Sequence, residues 1–373
     1  MKVKIIIACL LMILATGFAY AKDIHVPGDF DKIQDALDAA LPGDRVLVDT
    51  GTYEENITLI SGVELLGAGA DVTTIMASTG TVVTAENIGF RAKISGFTID
   101  GVDKSGSEEH GIYCNNSSPT LSSVTITNTG GVGIYCWDKV SSTISNVTIT
   151  NTGRIGIYCG ASSYPTVSNV TITNTGESGI LCSTSSPTIS NVTITGAKSD
   201  GISCQSLSEP KIRGSVISQN FLNGIGIYTD SLPDIGTEAE PGGNSIFDNE
   251  FFDVSNGNPT EVKAELNWWG ECPPNPAYFS GKVDYDPWLC TSINGHVTDP
   301  EGNPIKWAFV IAINADTKDK YKAFTKGDGY YEIPDLPFGT YWVICIKKGY
   351  KTGIKKVEVP PGEAYFVLTP NPE

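Results

Sequence analysis

The sequence predicts an all-β chain in which a long β-solenoid is followed by a small β-sandwich. Two observations predict the solenoid. The tetrapeptide Gly-Ile-X-Cys recurs with its cysteines at 114, 136, 159, 182 and 204, and a Ser-Asn-Val-Thr-Ile-Thr phrase recurs within 143–150, 166–173 and 188–195. Self-similarity at a fixed period of this length is the signature of a repeat architecture. A change of composition and strand pattern after residue 291 predicts the sandwich, because the predicted strands become longer and lysine appears.

The repeat is built from β-branched residues with turn-forming Asn and Gly, and it has no helical periodicity. Strand alternation places Ile112 and Cys114 on one face, with Gly111, Tyr113 and Asn115 on the other. One coil cannot bury its own apolar face, whereas stacked coils about 4.8 Å apart can. We therefore expect ladders of equivalent residues, with the isoleucines and cysteines inside.

Residues 1–21 have the pattern of a secretory leader, with Lys2 and Lys4, an apolar run from Ile5 to Leu14, and Ala19-Tyr-Ala21 as a cleavage site. An uncleaved anchor is the competing interpretation. No apolar run is long enough for a membrane span, so we expect a secreted, periplasmic or cell-surface protein.

The formal net charge is −17, and removal of the leader with its two lysines makes it −19. From Ser292 onward the charges balance, so the excess of acid lies within 22–291. An acidic surface disfavours nucleic acid or anionic lipid as partner. It favours neutral sugars or cations.

The N-terminal end of the solenoid is predicted to be capped by an amphipathic helix over 29–41, in which Ile33, Ala36, Leu37 and Ala40 share a face. Short strands are expected over 45–48, 54–60 and 63–66. An early copy of the repeat spans 94–99, and a late one has Ile227 in place of the cysteine. Trp268 and Trp269 are expected in the core of the C-terminal cap.

The predicted sandwich begins near Ile293, and its strands are separated by Gly- and Pro-containing turns. Strands are expected over 309–313, 330–333, 341–346 and 356–359. Short strands with regular turn signals in about 80 residues are typical of a β-sandwich.

The Gly-Ile-Tyr-Cys coils, with the closing Asn267-Trp-Trp-Gly270, resemble the right-handed parallel β-helix of the pectin-lyase-like superfamily. Asn294-Gly-His-Val297 and Thr325-Lys-Gly-Asp-Gly-Tyr330 are similar to a carboxypeptidase-regulatory-like (transthyretin-like) β-sandwich. The expected domains are a signal peptide at 1–21, a β-helix at 22–291 and the sandwich at 292–373. The resemblance implies that any substrate groove runs along the outward face of the Gly-Ile-X-Cys strands.

Eight cysteines remain once Cys9 leaves with the leader. The five ladder cysteines pack either as buried thiols or as disulfides between coils. We favour thiols for two reasons. The Cβ atoms of in-register cysteines point in the same direction rather than towards each other, and a ladder of five cysteines leaves one without a disulfide partner. A straight ladder of single cysteines offers no convergent metal ligands. Cys272 and Cys290 flank a Pro-rich loop and are a candidate disulfide, and Cys345 is expected in the core of the sandwich.

Asn146, Asn169 and Asn191 each begin an Asn-Val-Thr sequence, which matches a glycosylation acceptor. An asparagine at one fixed coil position also suits a tight left-handed bend. We favour the structural interpretation.

The outward column of the Gly-Ile-X-Cys strands contains Tyr113, Tyr135 and Tyr158, with Trp137 alongside, and neither outward column of these strands contains a carboxylate. These four are candidate ligand-binding residues, because sugar rings stack on exposed aromatic surfaces and exposed apolar patches mark recognition sites. The alternative is a cross-strand stack that only stabilises the sheet.

Catalytic candidates are the charged residues near this face, Glu109, His110, Asp138 and Arg154. Glycoside hydrolysis needs a carboxylate pair across the scissile bond, and elimination needs a base with cationic help. The resemblance brings neither the polygalacturonase aspartate, Gly-His-Gly and Arg-Ile-Lys phrases nor the pectate-lyase arginine motif. The same four residues also fit as solvated turn positions.

We therefore expect an exported, non-catalytic protein with a carbohydrate-binding or cell-surface structural and adhesive role. The alternative is a polysaccharide lyase, epimerase or glycoside hydrolase acting on an extracellular polysaccharide. The expected partner is a polysaccharide or cell-surface glycan. No cofactor or metal site is predicted, since the histidines are scattered, and Ca²⁺ binding by the acidic loops stays open.

Overall fold

The fold is described from a computed structural model that covers residues 21–89, 91–102, 109–359 and 362–372. All of the predicted leader except Ala21 lies outside these residues. Among the residues that are covered, no helix is long and apolar enough to cross a membrane.

The first sheet of the solenoid contains the Gly-Ile-X-Cys strands, and all its pairings are parallel. Successive strands pair in register, so that each ladder cysteine lies beside the next. Among the described residues, its ten strands are Ile57–Thr58, Val83–Glu86, Ile112–Asn115, Ile134–Trp137, Ile157–Gly160, Ile180–Ser183, Ile202–Gln205, Ile225–Ile227, Val254–Asn256 and Phe279–Ser280.

The second sheet is also parallel and contains the Ser-Asn-Val-Thr-Ile-Thr strands. In the part of the chain that the structure describes, its thirteen strands are Asp23–Val26, Arg45–Val48, Gly51–Glu54, Glu64–Gly67, Thr73–Ala77, Lys93–Gly101, Thr120–Thr127, Thr143–Thr150, Thr166–Thr173, Thr188–Thr195, Lys211–Arg213, Val216–Ser218 and Ser245–Phe247. Asn146, Asn169 and Asn191 have φ of 54°, 53° and 52° and bend these strands. The predicted left-handed bends are therefore present.

The core of the solenoid lies between the two sheets and confirms the predicted alternation. Ile112 and Cys114 are fully buried, as are their equivalents in the following coils, and they share the core with Val147 and Ile149. All five ladder cysteines are free, buried thiols. The prediction was wrong for Gly111, which is buried rather than outward, because the strand and its alternation begin only at Ile112.

Both ends of the solenoid core are covered. The predicted N-terminal helix spans Ile33–Ala39, shorter than expected, and buries Ile33, Ala36 and Leu37. The first helical amides, of Ile33 and Gln34, donate to the Glu55 carboxylate at 2.9 and 3.0 Å, which satisfies two otherwise open donors.

At the C-terminal end, Trp268 and Trp269 are buried as predicted. The same end of the solenoid contains a 3₁₀ turn at Pro276–Tyr278 and a strand pair, Val262–Lys263 with Val283–Asp284. Cys272 and Cys290 form a disulfide, with their Cα atoms 5.7 Å apart.

The C-terminal region is a two-layer β-sandwich with its own core, which contains Cys345. One layer has strands Ser292–Thr298, Tyr330–Pro334 and Phe366–Val367, and the other has Lys320–Phe324, Phe309–Asn314, Gly339–Ile346 and Gly353–Val359. Three strands, Ser292–Thr298, Lys320–Phe324 and Phe366–Val367, were not predicted. The sandwich contacts the solenoid where the Phe338 amide donates to Ser245 Oγ at 2.9 Å.

Candidate functional site

The outward face of the first sheet carries the predicted columns in register. Tyr113, Tyr135 and Tyr158 are directly paired neighbours, and Leu181, Ser203 and Gly226 continue their column. The preceding strand adds Thr84 beside Tyr113 and Glu86 beside Asn115. The columns of the Gly-Ile-X-Cys strands contain no carboxylate, as stated from the sequence, but the preceding strand extends the second column by Glu86.

The aromatic strip, defined here as His110, Tyr113, Tyr135, Trp137 and Tyr158, is a continuous stack across three coils. Ring centroids of Tyr135 and Tyr158 lie 4.6 Å apart at 17°, and those of Tyr113 and Tyr135 lie 5.5 Å apart. Trp137 is 6.2 Å from both Tyr135 and Tyr158 and is 39% exposed. Because the tyrosine rings stack on one another, Trp137 is the ring of the strip most open to a ligand.

Gly160 makes room for this arrangement. A Cβ at Gly160 would lie 2.6 Å from Tyr158 Cε1 and 3.0 Å from Trp137 Cε3, both far closer than ordinary contact. The absence of a side chain therefore lets the phenol and the indole lie against the sheet.

His110 is 5% exposed and closes one end of the strip, with its ring 4.9 Å from that of Tyr135. Its Nδ1 accepts a hydrogen bond from the Val132 amide at 3.1 Å. That bond places the proton of the neutral ring on Nε2, because a protonated Nδ1 cannot accept.

Beyond the strip lies what we term the Asp200 cluster, formed by Asp200, Ser203, Asn223 and Tyr228. Asp200 is 2% exposed, and its carboxylate accepts from Asn223 Nδ2 at 2.8 Å and from the Tyr228 hydroxyl at 3.1 Å. Burial raises the pKa of Asp200 despite these hydrogen bonds. Burial and the Asp200 charge raise the pKa of Tyr228 to about 12. Perturbed ionisable groups of this kind concentrate at functional sites.

The Asp200 cluster opens into a groove of about 380 Å³, whose lining includes Glu177, Leu181, Lys198 and Gln205. Leu181 follows Tyr158 in the outward column, so the groove continues directly from the aromatic strip. We call the strip and this groove together the binding face.

Sequence reasoning placed Tyr228 in an outward column and Asp200 in a turn, but it did not bring them together. The sequence nevertheless contained a feature that could have identified this cluster. Asp200 and Asn223 occupy the position before the Gly of the repeat, which is apolar in two other coils as Val132 and Ile155. His110 and Ser178 at the same position are polar as well, so the feature that marks this cluster is the carboxylate of Asp200, which is the one acidic residue at this position in the six Gly-containing coils.

The four catalytic candidates do not converge. Glu109, His110 and Arg154 lie in the turn segments before the strands, whereas Asp138 follows the strand Ile134–Trp137 at its opposite end.

All four candidates have local partners, and one partner of His110 is the Val132 amide described above. Glu109 Oε1 accepts from the Gly80 amide at 3.3 Å, Arg154 Nε donates to Glu177 at 2.9 Å, and Lys139 Nζ donates to Asp138 at 3.0 Å. Within the ranges that the structure describes, no group of three or more His, Cys, Asp or Glu side chains could hold a metal ion.

Comparisons with known proteins agree with this architecture. Residues 87–239 match the family model of the right handed beta helix region, and residues 292–369 match that of the carboxypeptidase regulatory-like domain. Residues 87–239 are therefore assigned to a right-handed β-helix region, and residues 292–369 to a carboxypeptidase regulatory-like domain. No curated protein sequence matches this chain.

Solved structures with a similar fold include three polysaccharide- or phage-associated proteins. The chain is similar to the A-module of mannuronan C-5 epimerase AlgE4 from Azotobacter vinelandii (16% identity, 73% of this chain and 95% of that one, TM-score 0.48). It is also similar to pectate lyase Pel9A (14% identity, 73% and 79%, TM-score 0.48) and to tailspike protein 2 of bacteriophage CBA120 (12% identity, 91% and 76%, TM-score 0.48). These similarities concern the fold and carry no argument about activity.

Proposed function

We propose that this chain is an exported protein that binds a polysaccharide along the binding face and does not cleave it. The observation that carries the proposal is the continuity of the aromatic strip with the Asp200 groove on one sheet. A surface that combines exposed aromatic area with a few fixed polar groups is the usual composition of a ligand site.

The chemistry of the face fits a sugar chain. Trp137 offers an apolar surface to the C–H face of a sugar ring. Ser203 and Gln205, which share a hydrogen bond of 3.1 Å, and the Tyr228 hydroxyl supply partners for sugar hydroxyls. Glu86 and Asp200 add negative charge, so we expect neutral or amino sugars to bind better than uronates.

The non-catalytic role is supported by the positions of the charged groups. Hydrolysis of a glycosidic bond requires two carboxyl groups on either side of that bond. Glu177, the carboxylate that lines the Asp200 groove beside Asp200, is paired with Arg154 at 2.9 Å. We therefore assign Asp200 to recognition.

The second candidate function, a lyase, epimerase or hydrolase, is favoured by one observation. Asp200 is a buried carboxyl with a raised pKa beside the Tyr228 phenol, a combination seen in acid–base sites. Enzymatic turnover lost in Asp200→Asn, with affinity retained, would establish this alternative.

A glycan array followed by titration calorimetry tests the proposal. Trp137→Ala is expected to weaken binding of the polysaccharide about tenfold, which corresponds to ~1.4 kcal/mol, within the range of an aromatic contact. Tyr164→Ala is the matched control, because Tyr164 is an exposed aromatic (56%) of the solenoid outside the strip. Equal binding by both variants contradicts the proposal.

Export is proposed from the leader pattern. N-terminal sequencing of the protein recovered outside the cytoplasm is expected to begin at Lys22. An N-terminus at Met1 on the membrane-associated protein would instead indicate an anchor.

A further inference from the structure

A second groove, of about 560 Å³, lies on the other sheet, where the sandwich meets the solenoid. We propose that this groove, which we call the threonine groove, binds a neutral oligosaccharide. It shares no lining residue with the binding face and was not anticipated from the sequence.

The solenoid wall of the threonine groove is a regular array of hydroxyl groups. Thr171 pairs in register with Thr193, and Thr173 pairs with Thr195. Each coil therefore presents two threonine hydroxyls, repeated at the coil spacing of about 4.8 Å. The Thr173 hydroxyl already donates to Thr150 Oγ1 at 2.9 Å, so we assign the contact with the ligand to the pair Thr171 and Thr193.

The opposite wall belongs to the sandwich and is fixed in shape. It is formed by Asp316, Thr317 and Asp319, in the loop between strands Phe309–Asn314 and Lys320–Phe324. Asn314 Oδ1 accepts from the amides of Asp316 and Thr317 at 2.9 and 3.0 Å, which holds the loop. The bond between the Phe338 amide and Ser245 Oγ joins the two domains beside it.

The charge of the threonine groove selects against anions. Asp316 and Asp319 line it, and partial burial together with the Asp319 charge raises the pKa of nearby Asp248. A uronate or phosphate group would meet this negative field, whereas the hydroxyls of a neutral sugar can donate to the carboxylates.

The remaining lining fits the same ligand class. Phe247 adds an apolar surface, and the Asn169 and Asn191 amides add further donors and acceptors. A wall whose polar groups repeat from coil to coil matches a ligand that is itself a repeating chain. The volume lies within the range of small-molecule sites, which often form at domain interfaces.

Titration calorimetry with hexamers of β-1,4-linked glucose, mannose and xylose tests this proposal, with hexagalacturonate as the anionic comparison. The Trp137→Ala protein serves as background, so that binding to the aromatic strip is already weakened. In that background we expect one neutral hexamer to bind and hexagalacturonate not to bind.

The groove variant is Thr171→Val with Thr193→Val, which removes two hydroxyls and keeps the β-branched shape. It is expected to weaken binding of that hexamer about tenfold or more, since two hydrogen bonds are lost. Thr148→Val is the matched control, because Thr148 pairs with Thr171 but lies outside the groove. It should stay within about twofold of its parent. Unchanged melting temperatures of the valine variants exclude unfolding as the cause.

The outcomes separate the two sites. If Trp137→Ala alone abolishes all binding, the threonine groove is refuted while the binding face stands. If the valine pair abolishes all binding and Trp137→Ala changes nothing, the groove is supported and the binding face is refuted. Absence of neutral hexamer binding in the Trp137→Ala background, or equal affinity of the valine pair and Thr148→Val, overturns the proposal.

Discussion

Replacement of Gly156 by alanine tests the packing of the coils most sharply. Gly156 precedes the strand Ile157–Gly160, and a Cβ there would lie 2.5 Å from the carbonyl oxygen of Gly179 and 2.6 Å from Ile172 Cγ2. The first atom is backbone of the next coil and the second belongs to the core. Neither can move without a shift of the coil stack.

The magnitude follows from these distances. Ordinary van der Waals contact for a Cβ begins at 3.4 Å. The new Cβ and the hydrogen-bonded backbone of the next coil must therefore move apart by about 0.9 Å. Overpacking of a close-packed core costs typically about 1–3 kcal/mol, and two rigid neighbours place this case near the upper limit. We expect Gly156→Ala to lower the free energy of unfolding by about 3 kcal/mol.

Gly160→Ala is the matched control in the same coil. The three nearest atoms to its Cβ belong to the Tyr158 and Trp137 side chains, which can rotate away. Its destabilisation should stay below about 1 kcal/mol. Urea unfolding monitored by circular dichroism gives the change in the free energy of unfolding of each variant from its midpoint, provided the m-values of the variants agree. Equal stability of the two variants would refute the close-approach argument.

Three further predictions concern the bends, the buried acid and the cysteines. Asn169→Ala should destabilise by about 1 kcal/mol because φ is 53°, whereas Asn169→Gly should be nearly neutral, as thermal melts can show. Burial raises the pKa of Asp253 from 3.8 to about 7, so the folded state holds a proton that the unfolded state loses first. Stability should therefore fall as the pH rises from 4 to 7, by up to ~4 kcal/mol, and stay level above that. Asp253→Asn, which keeps the acceptor for Asn249, should flatten this profile, and an unchanged slope contradicts the assignment. Alkylation of the denatured, unreduced chain 22–373 should label six cysteines, and reduction should add Cys272 and Cys290, whereas eight labels without reduction would contradict the disulfide.

The solenoid could be predicted because its repeat specifies both alternation and register. Once Ile112 and Cys114 are assigned to the core, Tyr113 must face outward, and the fixed period places Tyr135 and Tyr158 beside it. The left-handed bend at Asn169 follows from the same periodicity, since the asparagine recurs at one coil position.

Other features depend on information that the repeat does not carry. Gly111 is buried because the strand begins one residue later, which is a boundary effect. The edge strand Lys320–Phe324 was missed because its outward positions include Lys320 and Lys322, a composition that resembles a loop.

The Asp200 cluster is a tertiary feature. Asp200 and Asn223 lie one coil apart, and Tyr228 reaches back to the same carboxylate over 28 residues. Their meeting depends on turn geometry, which the repeat pattern leaves open. The threonine groove depends on how the sandwich docks, and no sequence period reports that contact.

The most direct measurement of the central claim is the affinity of a neutral polysaccharide for the wild-type protein, Trp137→Ala and Tyr164→Ala, combined with an assay for new reducing ends or unsaturated products. We predict that Trp137→Ala weakens binding about tenfold, that Tyr164→Ala matches the wild type, and that no product forms. Equal binding by all three proteins, or product formation that Asp200→Asn abolishes, would contradict a non-catalytic glycan-binding face built on the aromatic strip.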